Sequence, residues 1–592
     1  MLGVSTGFLF PRRPTLFFAP SIERCPCCAA QLKVHKTRTA KVVTLPIGPF
    51  NAHETVLTCP GCEEDILYGS EELQRLKPFR GTFGYDILVY AGQAMFVRCR
   101  SEGEIQQELA DRHIGISQRE VSYLARKFVM YLAVAHRQSR EKIRRLMARR
   151  GGYILHLDGT CEGDSPHLLS GLDGITEIVL ENIKLASEKA ETIIPFLRKI
   201  EQLYGQPLAL VHDMGKGISG AVKAVFPEVA DFICHYHFLA AVGRNLFDKE
   251  NDRIRARLRK HGIQGILRKR AREYMRLMEK QPSVVQSLSS MLNARDPKQR
   301  LEPCTPLAPV AAYSLVVWAL EGKKQGQGYG FPFDRVYLSF YQRLQILHSA
   351  LIQLKELHRG HRADTRLYVK VLRDLIDPLE DSVLRKAAET MHEKAAVFDR
   401  LREAMRIAVP DGHRGLNDKG DASAIHTIEK AVGQFCRWVC EDPKMSKKEE
   451  YQKMIAQIRH YWEKLFSDPL IVQTPTGKLT VQPQRTNNIL ERLFRDLKRR
   501  YRKKSGTKAL SKTLKAILSD TPLVKNLENP EYLKILLDGA ATLEERFSQI
   551  DSRLVHQQLS RQTTPSERVP RKIKSLVKLP DLPDRLVAVF ST

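Results

Sequence analysis

The sequence predicts a multidomain chain of the α/β plus α class, in which an α/β core is interrupted by a large all-helical insertion. Three observations carry this. Paired cysteine corners open the chain, a stretch after residue 150 alternates strand-like and helix-like periods, and residues 248–469 are mostly helical and charged. At 592 residues the chain is too long for one core, and 43% hydrophobic with 27% charged residues suits a soluble globular protein. Ninety-five Lys and Arg against 67 Asp and Glu leave a formal charge of +28, which favours a polyanionic partner, nucleic acid first. The first residues lack the pattern of a secretory signal. The best apolar run, Pro309 to Leu320, is well short of the roughly 20 residues a bilayer requires, so no membrane partner is expected.

Residues 1–75 read as a zinc-ribbon-like domain. Five of the 11 cysteines fall between positions 25 and 62, as Cys25-Pro-Cys27-Cys28 and Cys59-Pro-Gly-Cys62. Two CxxC corners present four thiolates to a structural Zn2+, with Cys25, Cys28, Cys59 and Cys62 as the expected ligands. Cys27 leaves the register open, and His35 or His53 could replace one thiol. Such clustering fits a reducing compartment, so the expected location is cytoplasmic.

Residues 84–140 read as a helix-turn-helix DNA-binding domain. Ile105, Leu109 and Ala110 line one apolar face, Gly115 sits in the turn, and Ser117 with Glu120 has the spacing of a capping box. The second helix would enter a major groove, led by Ser117, Gln118 and Arg119.

Residues 150–247 form the first part of the α/β core. YILHLDG reads as a strand, and HLLSGLDGITEIVLENIKLA as a hairpin turning at Asp173-Gly174. A helix then begins at Ser187, PLALVHDMG is a buried strand, and a helix over Gly217 to Phe226, the strand ADFICHYH and a further helix follow. That is the element order of a ribonuclease-H-like core. Asp158 closes the first strand and Asp213 the strand after the first long helix. Ligands of α/β sheets gather at the carboxyl ends of strands, so this acidic pair is a candidate metal site.

The second part of the core, 470–515, lies 278 residues beyond Asp213 (491 − 213), after the insertion. There TNNILERLFRDLKRR places Glu491 near a helix start among Arg492, Arg495, Lys498 and Arg499, cations suited to phosphates. Residues 516–592 read as a C-terminal helical and basic tail. The glycine-rich GKKQGQGYGFPF inside the insertion is expected to reverse the chain.

HLDGT at Asp158, VHDMGKGI at Asp213, FPEVADFICHYHFL and TNNILERLFRDLKRR at Glu491 together resemble the DDE transposases whose ribonuclease-H-like core is split by a helical insertion. That group includes Mutator-like and related bacterial insertion-sequence enzymes. In it a Cys-or-Asp, two residues, then His motif follows the second catalytic aspartate, and Cys234-His235-Tyr236-His237 fits it, making Cys234 and His237 site-supporting residues. The resemblance implies catalysis by Asp158, Asp213 and Glu491 with Mg2+ or Mn2+, freeing a 3′-OH at an element end and joining it to target DNA. It further implies double-stranded DNA, both transposon ends and target, as partner, a homodimer or higher oligomer, and a nucleoid-associated location. A transposase-derived regulator that only binds, or a nuclease that cuts without joining, would keep parts of this pattern.

Overall fold

The structure is a computed structural model that describes residues 13–62, 66–279, 308–324, 326–409, 425–466, 468–475, 477–563 and 579–590. The chain divides into two compact units. One runs to Asp231 and resumes over Leu470–Pro483 and from Asn487; the other takes Phe232–Pro469 and Gln484–Thr486.

In the first unit, β1 (Thr15–Phe18), β2 (Lys33–Thr44), β3 (Gly48–Thr58) and β4 (Leu67–Tyr68) form one sheet with β3 central to β1, β2 and β4. Alternate residues of β3 point inward, so Phe50 and Ala52 meet Phe18, Val42 and Leu73 in a small core. Glu54 is buried on the same strand, and its charge is met by Arg38 at 2.6 Å and by the Ser70 amide at 3.1 Å. Ser70 in turn caps α1 (Glu71–Leu76).

Four helices follow: α2 (Tyr85–Phe96), α3 (Glu102–Ala110), α4 (Gln118–Gln138) and α5 (Arg140–Arg149). Ser101 and Glu104 make the reciprocal capping box at the start of α3, while Ser117 accepts a bond from the Glu120 amide at the start of α4. The two helices sit where the sequence suggests, but α4 differs in kind from a free recognition helix. Val121, Leu124 and every residue from Phe128 to His136 are buried, so exposure is confined to the start of the helix, with Ser117, Gln118 and Arg119, and to Arg126 and Gln138. The apolar residues continue around α4 because it is a central core helix of this unit.

A five-stranded sheet comes next: β5 (Ile154–Thr160), β6 (His167–Asp173), β7 (Val179–Leu185), β8 (Ala209–His212) and β9 (Ala230–Ile233), in the spatial order β7-β6-β5-β8-β9. β5, β6 and β7 are antiparallel, and β8 runs parallel to β5. α6 (Ala190–Tyr204) and α7 (Lys216–Val225) separate the last three strands. α6 begins at Ala190 rather than Ser187, with Lys189 at its N-cap and the Thr192 hydroxyl bonded to the Ser187 and Lys189 carbonyls at 2.9 and 2.7 Å. The β6–β7 turn starts at Asp173, whose carboxylate accepts from the amides of Ile154, Ile175 and Thr176. Glycine is required at 174, since a Cβ there would sit 2.6 Å from Nε2 of His156.

The second unit contains α8 (His235–Lys260, kinked at Phe247), α9 (Ile263–Met278), α10 (Ala308–Glu321), α11 (Val336–Leu357), α12 (Arg362–Glu380), α13 (Ser382–Met405), α14 (Ile425–Glu441), α15 (Glu449–His460) and α16 (Trp462–Leu465). Phe247, Phe333 and Phe398 pack ring against ring or edge at its centre. Asp381 caps α13 and binds Arg257 at 2.6 Å and His261 at 2.7 Å. In the glycine-rich stretch, the Asp334 carboxylate gathers the amides of Gln327 and Gly330. The apolar run Pro309 to Leu320 is helix α10. Among the described residues no helix is long and apolar enough to cross a membrane.

The first unit resumes with the hairpin β10 (Leu470–Thr474) and β11 (Gly477–Val481), then α17 (Asn488–Ser505). Residues 510–563 add α18 (Leu510–Ala516), a 3-10 helix over Thr521–Glu528, α19 (Pro530–Leu537), α20 (Leu543–Ser548) and α21 (Ser552–Thr563). This stretch is not an appendage: Leu523, Tyr532, Leu536, Phe547 and Val555 join the same core as β5, β6, α2 and α4. Polar links reinforce it, with Arg137 bridging Glu181 at 3.0 Å and Asp520 at 2.8 Å, and His136 bonding the Tyr532 hydroxyl at 2.9 Å.

Candidate functional site

Asp158 lies within β5, and Asp213 directly follows β8, the strand that runs parallel beside it. β5 and β8 pair Ile154 with Ala209, Leu155 with Leu210 and His156 with Val211, a constant offset of 55 (209 − 154). Asp213 follows Asp158 by the same 55 (213 − 158), one residue past the end of β8. The strand does not close at Asp158, as its sequence suggests. Towards β6 it pairs on through Gly159 and Thr160, whereas β8 stops at His212.

Both carboxylates lean on nearby backbone amides. Asp158 is buried and accepts from the Gly159 amide at 2.8 Å. Asp213 is half-buried and accepts from the Gly215 amide at 2.9 Å, just ahead of α7, whose N-terminal amides favour negative charge. A Cβ on Gly215 would come within 2.9 Å of the same Asp213 oxygen.

Glu491 lies in the first turn of α17, and its amide bonds the Asn487 carbonyl at 3.0 Å. Asn487 is fully buried at the N-cap. Its side chain caps no amide of its own helix; instead Nδ2 donates to the Leu157 carbonyl at 2.8 Å and Oδ1 meets Nδ1 of His156 at 3.0 Å. The start of α17 is thus tied to β5 at the two residues preceding Asp158. Further along α17, Ile489, Leu490, Leu493 and Phe494 face the core, leaving Arg492, Arg495, Lys498 and Arg499 exposed on the other side. His156 and Asn487 are absent from the sequence-based site, because a pairing across 331 residues leaves no local pattern.

Cys234 and His237 belong to the second unit. Cys234 is fully buried at the N-cap of α8, and the His237 ring lies edge-on to Tyr236 at 5.5 Å. Between them, His235 is a packing residue, bonded to the Leu465 carbonyl at 2.6 Å and to Arg485 at 3.2 Å.

The four thiols of Cys25, Cys28, Cys59 and Cys62 lie within 4.8 Å of one another, with neighbouring sulfur atoms 3.3 to 3.6 Å apart. Tetrahedral Zn–S bonds of about 2.3 Å imply edges near 3.8 Å, so the cluster can hold zinc. Amides of Cys27 and Gly61 point at Cys25 and Cys59 sulfur atoms. Cys27 itself is exposed and outside the cluster, which settles the register in favour of Cys28. His53 instead meets the Thr39 hydroxyl at 3.2 Å. The Tyr68 hydroxyl, 3.4 Å from Cys25, pulls that thiol down to about 5, with the Cys28 and Cys27 amides adding to the effect. Among the described residues this is the one group of three or more candidate ligands so tightly gathered; Asp158, Asp213 and Glu491 are not drawn together to that degree.

No family model and no curated protein matches the chain. Among solved structures it is similar to the Drosophila P element transposase strand transfer complex, at 13% identity over 78% of this chain and 96% of that one, with a TM-score of 0.30. At that score the likeness decides neither fold nor chemistry, and both rest on the residues themselves.

Proposed function

We propose that this chain is a DDE-type DNA transposase, with a ribonuclease-H-like core and Asp158, Asp213 and Glu491 as its catalytic residues. The observation that supports it best is the placing of the two aspartates on β5 and just after β8, strands paired in parallel, with the helix bearing Glu491 anchored to β5. Three carboxylates are the oxygen donors a hard ion prefers, and Mg2+ or Mn2+ held there would activate the attacking oxygen and stabilise the leaving one. Water attacks the phosphodiester at the element end and the displaced 3′-oxygen leaves as a 3′-OH; that hydroxyl then attacks a target phosphodiester.

The chain's other residues bind and orient. Arg492, Arg495, Lys498 and Arg499, exposed on α17, take backbone phosphates beside the acidic site. Ser117, Gln118 and Arg119, on the exposed first turn of α4, contact base edges. Cys234 and His237 support the site, and Zn2+ at the four cysteines fixes the N-terminal sheet. Double-stranded DNA is the partner, and joining two element ends calls for a dimer or larger assembly.

The test is incubation with Mg2+ or Mn2+ and duplexes carrying the element's ends, comparing wild type with Glu491→Gln. Joined products that the substitution removes support the transposase. Cutting without joining points to a nuclease, and binding without cutting to a regulator.

A further inference from the structure

We infer that Asn487 and His156 form a buried clamp that sets the position of Glu491 against Asp158, making Asn487 a positioning residue of the metal site. This rests on the three-carboxylate reading of Asp158, Asp213 and Glu491.

The clamp departs from what an N-cap asparagine ordinarily does. Asparagine is favoured there because its side-chain oxygen accepts an amide of the first turn. At Asn487 that bond is forgone, and both ends of the amide are spent on β5, the nitrogen on the Leu157 carbonyl and the oxygen on His156. The donor end being fixed by a carbonyl, the oxygen must face the imidazole, so His156 carries its proton on Nδ1 and donates. The Gly174 turn closes against the opposite edge of the ring, at Nε2, where no side chain larger than hydrogen fits. Both residues are fully buried, which removes water as a competing partner.

The same residue bears on Glu491 through the backbone. The Asn487 carbonyl accepts from the Glu491 amide at 3.0 Å, and the Asn487 side chain holds the Leu157 carbonyl, one peptide before Asp158. Glu491 therefore reaches the strand bearing Asp158 through one residue and two hydrogen bonds. Displacing Asn487 moves the helix start, and with it the distance between the two carboxylates. Partners that orient metal ligands in this way typically change affinity 10- to 100-fold when removed.

Asn487→Ser isolates the role, because serine is an equally good N-cap but too short to span to β5. Mn2+ binding to the full chain, with its zinc in place, is measured by electron paramagnetic resonance for wild type, Asn487→Ser, Glu491→Gln and the double variant. The expected result is Mn2+ affinity roughly 10-fold weaker in Asn487→Ser and no further loss when it is added to Glu491→Gln, since one acts through the other. Wild-type affinity in Asn487→Ser, or losses that simply add, overturns the clamp and leaves the three-carboxylate reading standing. If wild type binds Mn2+ no better than Glu491→Gln, that reading fails and takes the clamp with it. His156→Leu, which keeps Asn487 and its bond to Leu157, is the second variant if Asn487→Ser loses its circular dichroism, and is expected to weaken Mn2+ in the same non-additive way; full affinity in it overturns the clamp.

Discussion

Three buried histidines make the native chain acid-sensitive. Burial pushes His136 and His156 down to about 4 and His235 down to about 3, below the unfolded value near 6.5. Each is neutral in the native state, so its contribution is complete above about pH 6.5 and is lost as pH falls towards the native value, at up to roughly 3 to 5 kcal/mol per residue. Asp86, Asp173 and Asp520 are raised by burial, which works the other way as pH falls. The drop in urea midpoint from about pH 7.5 to about pH 5.5 should therefore be smaller in His136→Gln than in wild type, a comparison that isolates that histidine from the other titrating groups. An equal drop in the two proteins would mean that this ring is not buried and neutral. At the same scale, Cys59→Ser should abolish bound zinc, measured by atomic absorption, whereas Cys27→Ser should retain it. Asp158 and Asp213 were legible because each ends an apolar run before a turn; Tyr68, His156 and Asn487 were not, since what marks them is contact with residues far along the chain.

At the level of elements, helix packing gives a sharper test than propensity. Gly92 lies inside α2, where alanine would ordinarily help by about 1 kcal/mol. Its Cβ, however, would fall 2.0 Å from Cγ of Phe128 on α4. Overpacking of that kind costs about 1–3 kcal/mol or more, so Gly92→Ala should lower the thermal midpoint; a raised midpoint would show that the two helices have room to part. The exposed face of α17 makes a different prediction. If Arg495 and Arg499 take phosphates, replacing either by alanine should reduce the slope of log affinity against log salt by about 1, read by fluorescence anisotropy on duplex DNA. The strands of the five-stranded sheet could be read from apolar runs and the Asp-Gly turn. The burial of α4 could not, because a helix apolar on most sides shows its polar first turns just as a recognition helix does.

Across the whole molecule, the core of the first unit is assembled from distant stretches of chain. β5 to β7, α2, α4, α17 and residues 510–563 all contribute to one apolar cluster. Ending the chain at Ser505 would strip Tyr532, Leu536 and Phe547 from it, so the shortened protein should aggregate or bind a hydrophobic dye rather than melt cooperatively. The basic residues between these apolar side chains make the stretch resemble a solvated tail in sequence, whereas the +28 charge and the helical insertion were plain from the start. In the proposed site Asp158, Asp213 and Glu491 share a divalent metal. The most direct measurement is anomalous diffraction from crystals soaked in Mn2+. A shared site predicts density within about 2.2 Å of carboxylate oxygens from both aspartates, with Glu491 completing it. Manganese bound elsewhere, or held at Asp158 and Asp213 while Glu491 pairs with a neighbouring arginine, would contradict it.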